Sequence, residues 1–154
     1  MTTNRDDGLR EYRQSVAGSL LAAREAVMAP IRPHLRNAGI TEQQWRVLRV
    51  LNDDGVLEAG AIARNALLYA PSVTRIIKDL QERGLVTKQP DPEDARRSRI
   101  SITEQGRCFV LETARETRKL LDLYDKAFGS ERLNAFRQEA LALAKCLHKF
   151  APDT

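Results

Sequence analysis

Apolar positions recur at steps of three and four along most of this chain, and the period changes at one place. Leu9, Tyr12, Val16, Leu20, Ala23, Val27, Ile31 and Leu35 mark one face of a first helix. Pro30 and Pro33 interrupt it. Each removes an amide donor and crowds the preceding turn, so a kink or break is predicted near residues 29–33. Gly39 then stands where a left-handed residue closes a helix. Thr41-Glu42-Gln43-Gln44 has the form of a capping box and opens a second helix with Trp45, Val47, Leu48, Val50 and Leu51. That helix is expected to stop at the polar cluster Asn52-Asp53-Asp54-Gly55, and a shorter apolar stretch follows from Ala59 to Leu68.

Pro71 suits the first turn of a helix, where its missing donor would be unsatisfied anyway. Val73, Ile76, Ile77 and Leu80 then form a narrow apolar stripe that Gly84 ends. Beyond Gly84, Leu85, Val86 and Thr87 lead into Pro90-Asp91-Pro92-Glu93-Asp94, and Ile100 and Ile102 alternate with Arg99 and Ser101. This pattern predicts a two-stranded hairpin with a charged tip. Thr103 reads as a helix cap. Two more helices carry Phe109, Val110, Leu120, Leu121 and Tyr124, then Leu133, Phe136, Ala140, Leu143, Ala144, Leu147 and Phe150.

The order helix, short helix, helix, hairpin over residues 41–103 describes a mainly α chain built on a winged helix-turn-helix. A helix anchored by one apolar face can offer its opposite face to the major groove of DNA. Here that free face carries Ser72, Thr74, Arg75 and Lys78. Arginine pairs with guanine edges through two parallel bonds, and hydroxyls suit phosphate or base contacts. Arg96, Arg97 and Arg99 cluster at the hairpin, where a protruding arginine can exploit the negative potential of a narrow minor groove. Asp94, two residues before Arg96, is expected to hold the guanidinium and the tight turn in place. Asp79 and Glu82 dilute the positive face, so an ordinary solvated helix and hairpin is the competing reading.

Composition narrows the picture without deciding it. The chain has 154 residues, 42% of them apolar and 30% charged, with a formal net charge of +4. These values fit a single globular domain and permit nucleic-acid binding. No run approaches a membrane span, and the N-terminal stretch has no apolar segment of the secretory type, which implies a cytoplasmic location and no membrane partner. Two histidines and two cysteines stand at no recognisable catalytic or metal-binding spacing, so no catalytic residue, metal or cofactor is expected. Cys108 and Cys146 are expected as small buried hydrophobes, the alternative being an oxidation-sensing thiol.

The stretches Pro71-Ser72-Val73-Thr74-Arg75-Ile76-Ile77 and Leu80 to Val86, together with Asp94-x-Arg96 and Ile100-x-Ile102-Thr103-x-x-Gly106, resemble the MarR family of bacterial regulators. The resemblance implies a homodimer with residues 1–39 and 104–154 as dimerisation helices and residues 40–103 as the DNA-binding winged module. It also implies a roughly palindromic operator. The segments Leu21 to Met28, Arg32-Pro33 and Thr41 to Arg46 are similar to the subgroup that includes regulators of homoprotocatechuate degradation. That similarity implies a repressor of aromatic-compound catabolism, released by a small aromatic acid or its thioester. A regulator of stress or drug response, with another effector or a cysteine switch, is the alternative. An aromatic carboxylate needs an apolar slot and a cation. Trp45 and Met28 are candidates for the slot, Arg24 or Arg46 for the cation, and Ser19 for a neighbouring hydrogen bond, although each also has a purely structural role open to it.

Overall fold

A computed structural model of the chain describes residues 11–151. Leu9, the first apolar position of the opening helix, lies outside them. The elements run in the expected order: α1 (Val16–Asn37), α2 (Glu42–Asp54), α3 (Ala59–Asn65), α4 (Ala70–Glu82), β1 (Val86–Pro90), β2 (Ser98–Ile102), α5 (Glu104–Phe128) and α6 (Ser130–Leu147). Short 3₁₀ turns precede α1 and follow α6. The chain divides into two compact units, one ending at Ala114 and one beginning at Arg115, so that α5 starts in the first and continues into the second.

In the first unit, α1 begins where the Ser15 hydroxyl accepts from the Gly18 amide, which is 3.0 Å away. Of the kink or break expected at its prolines, the break does not occur. Pro30 and Pro33 both lie inside a continuous helix of 22 residues. Both are exposed, so the carbonyls that lose an amide partner can turn to water. The apolar face predicted for α1 is only partly buried. Ile31 and Leu35 are covered, whereas Tyr12, Val16, Leu20 and Val27 are exposed.

The capping box forms as predicted, with the Thr41 hydroxyl accepting from Gln44 N and the Gln44 side chain accepting from Thr41 N, both at 3.1 Å. Residues 52–54, expected as the turn, instead make the last turn of α2, and Gly55 closes it at φ 82°. Trp45, Val47, Leu48 and Leu51 point inward and meet Ile62, Val73, Ile77, Leu80, Val86 and Ile100 in one core. Ile76 is half-buried at the stripe's edge.

The hairpin is antiparallel with Val86 opposite Ile102 and Pro90 opposite Ser98. Leu57 adds a bridge on the other side of β2, exchanging two backbone bonds with Ile100 at 2.8 and 3.0 Å. The wing is thereby tied to the segment between α2 and α3, a link that alternation alone does not reveal. Thr103 caps α5: its hydroxyl accepts from Gly106 N at 2.9 Å and donates to Gly84 O at 2.7 Å. The glycine in that Thr-x-x-Gly motif has a steric cause. A Cβ on Gly106 would stand 2.2 Å from the Leu85 carbonyl oxygen.

In the second unit, the remainder of α5 and α6 present a different surface. No residue of α6 is buried, and Leu121, Leu123, Phe128, Phe136, Leu141, Leu147 and Phe150 are exposed. The cysteine expectation fails accordingly. Cys146 lies on a helix with no buried residue, and Cys108 lies off the buried stripe of Gly106, Val110, Thr113 and Thr117; both cysteines are exposed.

Candidate nucleic-acid interface

The apolar stripe of α4 leaves its opposite side free. Ser72, Thr74, Arg75 and Lys78 are all exposed, and Lys78 has only a loose pairing with Glu82 at 3.9 Å. Tyr69 is the N-cap residue, with Pro71 in the first turn. The tip of the wing is organised by two aspartates. Asp91 accepts from Glu93 N at 2.8 Å, and Asp94 accepts from Arg96 N at 3.0 Å. The Asp94 carboxylate also lies 3.7 Å from the Arg96 guanidinium, whose side chain is 95% exposed. Asp94 thus has the turn-holding geometry expected of it, and it is Arg96 that projects.

The other two wing arginines are engaged within the module. Arg97 Nη2 pairs with Glu58 at 2.7 Å, and this hydrogen bond, chiefly, raises its pKa. Arg99 reaches Asp91 at 4.0 Å. Neither partner was marked by sequence, since Glu58 and Asp91 come from segments that look like ordinary turns. A cleft of about 310 Å³ is lined by Thr74 and Ile77 of α4, Lys88 of β1, and Arg96 and Arg97 of the wing. The structure therefore joins Thr74 to Arg96 across one concave surface and adds Lys88, an exposed strand position that the sequence reading passed over. Ser72 and Arg75 line a neighbouring cleft with Gln43, Gln44 and Arg46.

Of the residues expected to hold an effector, Arg46 lines this second cleft. Ser19 donates to Val16 O within its own helix. Arg24 pairs with both Glu25 and Glu42, and Arg32 bonds the same two carboxylates at 2.8 and 3.0 Å. These four side chains form a closed, charge-balanced network between α1 and the start of α2. Hydrogen bonding from Arg32, opposed by slight desolvation, leaves the Glu25 carboxyl below its ordinary pKa. For Glu42 partial burial pushes upward, but the bonds and charges of Arg32 and Arg24 prevail and lower it. Arg46 bonds backbone carbonyls rather than either glutamate. Met28 is half-buried and Trp45 is 8% exposed. A cation does meet the tryptophan: the Arg49 guanidinium stands 5.8 Å from the ring centroid. Arg49 is one helical turn beyond Trp45, a spacing by which sequence alone would have found it.

A buried-backed helix with a free polar face, beside a wing with a projecting arginine, defines a winged helix-turn-helix transcriptional regulator. The family model described as MarR family matches residues 40–98. The chain is 34% identical over 131 residues to the HTH-type transcriptional regulator FarR of Neisseria gonorrhoeae, covering 85% of this chain and 90% of that one. It belongs to the MarR family. The homoprotocatechuate degradative operon repressor of Escherichia coli is 29% identical over 77% of this chain and 80% of its own. Among solved structures, NadR in complex with 4-hydroxyphenylacetate superposes with a TM-score of 0.78 at 32% identity, covering 89% of this chain and 97% of that one. Among the described residues, no helix is long and apolar enough to cross a membrane.

Proposed function

We propose that the chain binds operator DNA as a homodimer, with α4 in the major groove and Arg96 of the wing in the adjacent minor groove. The observation that carries this reading is the shared cleft of Thr74, Lys88 and Arg96, flanked by the exposed Ser72 and Arg75. Arg75 is assigned to base edges. Lys88 and Arg96 are assigned to the backbone and minor groove, with Lys78, Arg97 and Arg99 supplying longer-range positive charge. Residues 16–37 and 104–147 serve as dimerisation helices, a role supported by their exposed leucines and phenylalanines. A two-fold dimer binds a pseudo-palindromic site with half-sites about one turn, ~34–36 Å, apart.

The same proposal includes release by a small aromatic carboxylate, in a repressor of aromatic catabolism. Two likenesses support it: to the homoprotocatechuate operon repressor and to the 4-hydroxyphenylacetate complex. Arg49, half exposed above the Trp45 ring and paired with the single carboxylate of Asp53 at 3.5 Å, supplies a cation beside an aromatic group, whereas Arg24 is matched to two carboxylates. The test uses duplexes selected by the protein from a randomised library. Affinity should fall with salt at a log-log slope of about −0.9 per phosphate contacted, and 4-hydroxyphenylacetate or a related aromatic acid should release the DNA. Failure to retain any duplex at low salt would refute DNA binding. Release by none of the aromatic acids would refute the effector.

A further inference from the structure

Residues 66–69 connect α3 to α4, and Leu67 within them is strained. Its φ of 52° makes it the only non-glycine residue with positive φ among those described, a conformation L side chains rarely adopt. The result of that strain is display. The Leu67 side chain is 83% exposed and that of Tyr69 75%, both immediately before the first turn of α4.

What holds the turn comes partly from its own backbone, with Leu68 N donating to Ala63 O at 2.9 Å and Leu67 N to Arg64 O at 3.3 Å. The remaining hold comes from α2. Arg46 Nη1 donates to Ala66 O at 3.1 Å and Leu67 O at 3.3 Å, and so grips the strained residue and the one before it. Its Nε is buried and has no hydrogen-bond partner among the described residues. Because its partners are carbonyls, its charge is not cancelled by them, and the residue lines the same cleft as Tyr69, Ser72 and Arg75.

We infer that Arg46 is a positioning residue for DNA reading: it fixes the α3–α4 turn so that Leu67 and Tyr69 meet the DNA beside Ser72 and Arg75, and it does not serve as the effector's cation. Tyr69 gives its phenol O–H to a phosphate, and Leu67 packs against the sugar edge of the groove. This rests on the DNA-binding reading above.

The test measures binding of library-selected duplexes by the full chain and its variants, with amide hydrogen exchange at residues 67 and 68. Arg46→Met should weaken binding at least about tenfold and speed exchange at both amides, while Arg46→Lys, which still offers donors to a carbonyl, should recover part of each. Tyr69→Phe should weaken binding on every duplex by about threefold or more with the salt slope unchanged, since no charge is lost. Native affinity in a folded Arg46→Met would overturn the inference. Should that variant not fold, native affinity in Tyr69→Phe would overturn it instead. If the unmodified chain binds no duplex, the DNA-binding reading itself has failed, which is a separate result.

Discussion

Leu48 and Leu147 both lie on the apolar face predicted for their helices, yet Leu48 has no exposed surface and Leu147 keeps 48% of its own. The contrast extends to whole regions. In the winged module most apolar residues of α2, α3, α4 and the hairpin cover one another, whereas much of α1 and of α6 displays its own. A module that satisfies its own core can be presented as a rigid reading head. Helices with uncovered leucines and phenylalanines are those proposed to be completed by a second copy.

The largest effect should come from testing that contrast directly. Leu48→Ala should cost about 2–5 kcal/mol at every protein concentration, read from denaturant midpoints. Leu147→Ala or Phe136→Ala should instead weaken dimerisation, so that its stability loss grows on dilution. Equal, concentration-independent losses in both regions would break the comparison. Next in size, Gly106→Ala forces a Cβ against the Leu85 carbonyl and the Ile102 side chain. It should destabilise the junction of wing and α5 by about 1–3 kcal/mol, visible as a lowered unfolding midpoint.

Smaller still is the acid response of the network between α1 and α2. Glu25 and Glu42 both have folded pKa values below the ordinary 4.5. Their stabilisation is therefore complete above that value and is lost as pH falls through it toward their folded values. The pairs are substantially solvated, so the effect is modest. Glu25→Gln with Glu42→Gln should flatten stability against pH in this acid window; an unchanged slope would mean the network contributes nothing there.

Most of the fold was legible because local rules and packing agree: a capping box at Thr41, an anchored stripe on α4, a change of period at the wing and a Thr-x-x-Gly start to α5. The misreadings have physical causes. Pro30 and Pro33 lie on an exposed side of a helix that continues through them without a break, and both cysteines lie on exposed faces of their helices. The site was legible as a set of residue types but not as a set of partners. Three neighbouring arginines look alike in sequence; only the structure separates Arg96, whose side chain is 95% exposed, from Arg97, which is held by Glu58, and Arg99, which is half exposed near Asp91. Likewise Arg46 and Arg49 differ by three positions, yet one grips a backbone turn and the other overlies Trp45.

The central claim is that α4 reads bases while the wing grips the backbone, and comparing Arg75→Ala with Arg96→Ala on a panel of single-base operator variants tests it most directly. Arg75→Ala should lose about 1–3 kcal/mol of preference at one position per half-site. Arg96→Ala should weaken all sequences alike and reduce the salt slope by about one unit per site. Equal loss on every sequence from both substitutions, or no loss from either, would contradict the account.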